Sequence, residues 1–190
     1  MNRKHYSEPI YRMLRAYLVQ QGLEHLADET DGRIKVTLRD EAMRRLGTIV
    51  LSVGYGSFDC TAAVGLELPE IRWNEAMYFI NAYNARLDAG SLRVHFPKRE
   101  LYYHLRCDCG TETPSRALIH DILETARTIW PKIGPRLQSV LARSGSMGRA
   151  MEGIEGYENY TGFNYETRAS DPGLTTEDPD ADPQSERQDK

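Results

Sequence analysis

The sequence predicts an α+β fold: an antiparallel five-stranded sheet with packed helices, in the order α-β-β-β-α-β-β-α. Three observations predict it. Apolar and polar residues alternate through 33–39, 58–67, 91–96 and 101–108, the period of a strand with one buried face. Apolar residues recur at three- and four-residue steps through 10–18, 73–87 and 118–141, the period of a helix packed along one side. Glycine and proline stand between these segments, at Asp31-Gly32, Gly54, Gly56, Gly90 and Pro97.

The first helix opens at Ser7 as an N-cap, with Glu8 and Pro9 favourable in its first turn. Ile10, Leu14, Tyr17 and Leu18 share its buried face, and Gly22 interrupts the pattern before Leu26. After the Asp31-Gly32 turn, Ile34, Val36 and Leu38 point inward from the first strand. Asp40 to Leu46 reads as a connection or one helical turn. Thr48 to Tyr55 is the second strand, and Phe58, Cys60, Ala62, Val64 and Leu66 mark the buried face of the third. These three strands are expected to form a meander.

Pro69 suits a first helical turn, where its missing N–H has no intrahelical partner to lose. Trp73, Ala76, Met77, Ile80, Tyr83, Asn84 and Leu87 form the core stripe of this central helix, and Gly90 ends it. Leu92, Val94 and Phe96 then alternate as a strand, Pro97-Lys98 turn the chain, and Leu101, Tyr103, Leu105 and Cys107 alternate in the last strand. Thr113-Pro114-Ser115 opens the final helix, with the stripe Leu118, Ile122, Ala126, Ile129, Ile133, Leu137 and Leu141. Pro131 and Pro135 are expected to kink or break it, since each removes a helical hydrogen bond. One more short helix is expected within 144–156.

The chain has 190 residues, 40 % hydrophobic and 27 % charged, which suits one globular domain with a tail. No run approaches the roughly 18 apolar residues of a membrane helix, and the N-terminus lacks the apolar stretch of a signal peptide. Three cysteines, an odd number, argue against a disulfide framework. The expected location is the cytoplasm. From Ser144 onward, eleven acidic residues face four basic ones, a balance of −7; the whole chain carries −4, so the preceding part carries +3. That is too mild a charge for nucleic-acid binding. The domain is set at 1–156. The tail at 157–190 begins with Tyr157, Tyr160, Phe163 and Tyr165; from Asp171 it is acidic and polar, and is expected to be largely disordered.

The middle helix carries Asn81 and Asn84 in FINAYNARL, and the last helix pairs Trp130 with Pro131 ahead of Leu137-x-x-Val-Leu141. With the element order, this resembles the YbjN family, bacterial proteins described as sensory-transduction regulators. In that family an I-N-x-x-N-like segment precedes two strands, and an aromatic-Pro pair lies in the last helix. The resemblance covers about residues 5–155, and the long acidic tail departs from it. The topology is also similar to that of type III secretion chaperones, α+β homodimers that bind extended segments of client proteins. The resemblance therefore implies a non-enzymatic protein-binding module, a regulator or chaperone-like protein with a client protein as partner.

His95, His104, Cys107 and Cys109 lie close in sequence, but Cys-x-Cys lacks the wider spacing that lets two thiolates converge on tetrahedral zinc. No metal or cofactor is expected. Cys60 sits at an inward position, and Ser57 lacks the setting of a nucleophile elbow. Glu67 and Glu70 flank a helix start, where carboxylates complement the macrodipole. Gly54-Tyr-Gly56 lacks the spacing and the Lys-Ser/Thr of a phosphate loop. No catalytic residues are assigned.

Asn84 falls within the apolar face of its helix, so its carboxamide needs partners. It either ties the helix to neighbouring backbone or, with Asn81 and His95, marks a small-ligand pocket. Opposite the core stripe, Ile71, Tyr78, Phe79 and Ala82 form a second apolar patch. The expected use of this patch is a partner or dimer contact, with Phe79 near a twofold axis. The alternative functions are a small-ligand sensor or enzyme using Asn81, Asn84 and His95, and a structural subunit of a larger assembly.

Overall fold

The computed structural model describes residues 5–39 and 45–142. The chain divides into two units, residues 1–154 and 155–190. Residues 40–44, the expected short helix within 144–156 and the whole aromatic and acidic tail lie outside the described residues.

In chain order the elements are α1 (Glu8–Gln20), β1 (His25–Asp28), β2 (Arg33–Arg39), β3 (Arg45–Val53), β4 (Ser57–Glu67), α2 (Trp73–Asn84), β5 (Ser91–His95), β6 (Glu100–Asp108) and α3 (Arg116–Leu141). The strands form one antiparallel sheet in the order β1-β2-β3-β4-β6-β5. The fold is α+β, with six strands in place of the expected five.

The added strand is β1. Gly22, at φ +63°, lets the chain leave α1, and Gly32, at φ +65°, reverses it into β2. Three of the four β1 residues are exposed, so no alternation marks the segment. It is held by backbone pairing with β2, extended by the Thr37 amide donating to the Glu24 carbonyl at 3.0 Å.

The strand periods place the core as the alternation predicts along most of the sheet. Ile34, Val36, Leu38, Phe58, Cys60, Ala62, Leu92, Leu101, Tyr103, Leu105 and Cys107 are buried. Val64 and Leu66 are only half-buried. The β4–β6 register shifts between Ala63 and Glu67, with Gly65 at φ +69°. The irregularity breaks the two-residue period, and Leu68 becomes the fully buried side chain.

α3 is the helix around which the others pack, touching α1, α2, β4 and β6. Its buried stripe includes Ile119, Leu123, Trp130 and Val140, whereas the expected Leu118 is exposed and Leu141 half-buried. Ser115 caps it, accepting from the Leu118 amide at 3.2 Å. Pro131 and Pro135 do not break the helix, which runs without interruption from Arg116 to Leu141. Both prolines are exposed and four residues apart, so they share the outer face. The carbonyls they leave without a helical donor lie on that side, within reach of water. Replacing Pro131 by alanine is expected to stabilise the fold by about 2 kcal/mol: about 3 from helix propensity, less up to about 1 from the freer unfolded chain. Urea unfolding followed by circular dichroism measures it, and no gain in midpoint would show that the turn does not re-form its bond.

Candidate protein-binding surface

The patch expected on α2 divides in the structure. α2 packs against both β5 and α3, so two of its sides are covered within one chain. Phe79 is 0 % exposed and stacks on Tyr83 with ring centroids 5.7 Å apart. Its expected place on an outward surface is corrected: the ring is fully enclosed within one chain. Tyr78 and Ala82 are half-buried, and Ile71 is 72 % exposed.

Ile71 belongs to a 3-10 turn, Glu70–Arg72, which leads into α2. A second such turn, Phe96–Lys98, joins β5 to β6 and closes at Arg99 in the left-handed region, φ 50°. The two turns are tied together. The Leu68 amide donates to the Arg99 carbonyl at 2.8 Å, and the Arg99 guanidinium pairs with Glu70 at 2.9 Å. Buried Leu68 anchors the junction from beneath.

This scaffold presents Ile71, Trp73 and Phe96. Phe96 is 66 % exposed, and its ring lies 5.7 Å from that of half-buried Trp73. Charged pairs stand beside them, Arg99 with Glu70 and Arg72 with Glu75. An apolar centre with a polar rim is the anatomy of a protein-binding surface.

Phe96 was expected inward, as the third apolar residue of an alternating strand. β5 ends one residue earlier, at His95. The signal was Pro97, whose ring restricts the residue before it and whose missing N–H cannot extend a ladder.

Asn84 is fully engaged. Its side-chain amide donates to the Leu92 carbonyl at 3.0 Å, and its side-chain oxygen accepts from the Leu92 amide at 2.7 Å. Leu92 lies on β5, an edge strand, so the carboxamide replaces the missing neighbouring strand at that residue. Asn81 and His95 are exposed. A cleft of about 410 Å³ opens elsewhere, between α1, β2 and α3, lined among others by Tyr17, Val36, Arg39, His120 and Leu123. Tyr17 and His120 share a hydrogen bond of 2.9 Å there.

His104 faces away from the helices and meets Asp59 at 3.1 Å on the polar side of the sheet. Cys107 and Cys109 share a different environment, their sulfurs 3.9 Å apart. Among the described residues, no three His, Cys, Asp or Glu side chains gather as a metal site would require. Burial pushes the Cys60 thiol up to about 12, so it stays protonated at neutral pH. The Ser57 hydroxyl accepts from Arg106 at 3.0 Å. Among the described residues, no helix is long and apolar enough to cross a membrane.

No family model and no curated protein matches the chain. Among solved structures it is similar to a chain of the heterodimeric ExoU–SpcU complex from the type III secretion system of Pseudomonas aeruginosa. The identity is 17 % and the TM-score 0.38, covering 66 % of this chain and 95 % of that one.

Proposed function

We propose that the chain is a non-enzymatic protein-binding module, a regulator or chaperone-like protein of the YbjN type, working in the cytoplasm on a client protein. The observation that carries this reading is the exposure of Ile71 and Phe96 on two mutually tied turns, with the half-buried Trp73 ring beside Phe96. Covering a large apolar side chain completely contributes about 1.5–3 kcal/mol, so a partner that seats on Ile71 and Phe96 gains from both.

The test is capture from the native host with the full chain as bait, followed by mass spectrometry, run in parallel with Ile71→Ser/Phe96→Ser. Both side chains are mostly exposed, so their replacement is expected to change stability by less than about 0.5 kcal/mol. A client retained in stoichiometric amount by the native chain and lost from the variant supports the reading. Equal capture by both chains, or a bound metabolite in place of a protein, contradicts it. A second copy of the chain is an allowed partner of the same surface, and sedimentation equilibrium of the two proteins separates that case from a foreign client.

A further inference from the structure

We propose that Cys107 and Cys109 form a dithiol site that a low-molecular-weight disulfide oxidises to an intramolecular bond, loosening the end of β6 from the β3–β4 turn. Residues two apart on a strand point to the same face, and here the sulfurs already lie 3.9 Å apart. Their surroundings differ. Cys107 is buried in the β6 ladder opposite Phe58, whereas Cys109 is half-buried and follows the last strand residue, Asp108. A dissolved oxidant therefore reaches Cys109 first. The third thiol, Cys60, is fully buried opposite Leu105 and takes no part.

The exchange balances in two steps. The Cys109 thiolate attacks one sulfur of the small disulfide, forming a mixed disulfide and releasing one small thiolate. The Cys107 thiolate, its proton passed to water, then attacks the Cys109 sulfur, forming the protein disulfide and releasing the second. Two protein thiols are oxidised and one small disulfide is reduced to two thiols.

Ring closure brings sulfurs from 3.9 Å to about 2.05 Å. Cys107 is fixed by the sheet, so Cys109 moves. Its amide donates to the Gly56 carbonyl at 2.8 Å, beside the Gly110 amide at 2.9 Å on the same oxygen. The turn so held also receives the start of α1, through the Ser7 amide on the Gly54 carbonyl at 2.8 Å. Displacing Cys109 strains the two bonds to Gly56 and so reaches the turn on which α1 is seated.

The test treats the full chain with oxidised glutathione and counts the thiols that alkylate after acid quenching and denaturation. The count is expected to fall from three to one, with peptide mapping joining Cys107 to Cys109. In the oxidised protein the Cys109 and Gly110 amides are expected to exchange hydrogen about tenfold faster, as loosened bonds do. Cys107→Ala is expected to stop at the mixed disulfide on Cys109. Should that variant fail to fold, Cys109→Ser, at a half-buried position, is expected to lose no thiol to the oxidant. Burial, then the Cys109 and Asp108 neighbours, push the Cys107 thiol up to about 11. On the neighbouring strand, Phe58 stands opposite it, between Asp59 and buried Cys60. Closure should therefore quicken as the pH is raised above neutral, following the thiolate fraction. A stable mixed disulfide at Cys109 in the native chain, a covalent dimer, a pH-independent closure or unchanged amide exchange would each overturn the proposal.

Discussion

Replacing Phe79 with alanine is expected to lower the free energy of unfolding by about 3–5 kcal/mol, the range for a large aromatic side chain removed from a packed core. The ring is fully buried, and it lies nearly parallel to Tyr83, at an interplanar angle of 26°. Deletion removes the buried surface and leaves a cavity that the surrounding structure closes only partly. Phe79→Glu is expected to do more, because an unpaired carboxylate in that position costs several kcal/mol beyond the lost packing. That variant should be unfolded or aggregated, not a folded monomer. Urea unfolding monitored by circular dichroism decides it. A loss below about 1 kcal/mol for the alanine variant would mean that the ring is not part of the core.

The misplacement of Phe79 in the sequence reading has a physical cause. A helical wheel shows two apolar faces on α2, but periodicity does not say how many neighbours a helix has. A helix with one neighbour leaves its second face to solvent, and a helix between a strand and another helix buries both. Strand alternation was more informative. In β2 and β6 each residue's side follows directly from the two-residue period, and Ile34 to Leu38 and Leu101 to Cys107 fall inside as read. The period fails where the backbone departs from the ladder, at the β4 irregularity near Gly65 and at Phe96 before Pro97. β1 was illegible because its side chains are almost all outside the core and its stability rests on backbone bonds, to which sequence contributes little. Of the candidate surface, the wheel places Ile71 outward, where it lies; Phe96, which alternation places in the core, comes to the surface through its turn, and Trp73 is half-buried at the start of α2.

Asn84→Ala is the second large effect, with an expected loss of about 3 kcal/mol. Its carboxamide satisfies both backbone groups of Leu92, on an edge strand whose side chain is buried. Each group left unpaired costs about 1–3 kcal/mol, and the half-buried setting places both near the lower part of that range. Asn84→Asp keeps the acceptor for the Leu92 amide but sets a carboxylate against the Leu92 carbonyl at neutral pH, so it should fall between the native chain and the alanine variant only in acid, where the carboxyl is protonated and donates again. Chemical denaturation at two pH values, with hydrogen exchange of the Leu92 amide, tests both. An alanine variant as stable as the native protein, with that amide still protected, would show that water or another group takes over the edge.

The proposed binding surface is the pair of tied turns bearing Ile71 and Phe96, with half-buried Trp73 at the start of α2 beside Phe96. Hydrogen exchange of the purified complex against the free chain measures this most directly. Protection is expected at 69–73 and 94–99, with little change on the polar face of the sheet around Asp59 and His104. Protection confined to that sheet face, or to the cleft between α1, β2 and α3, with 69–73 and 94–99 exchanging as in the free chain, would contradict it.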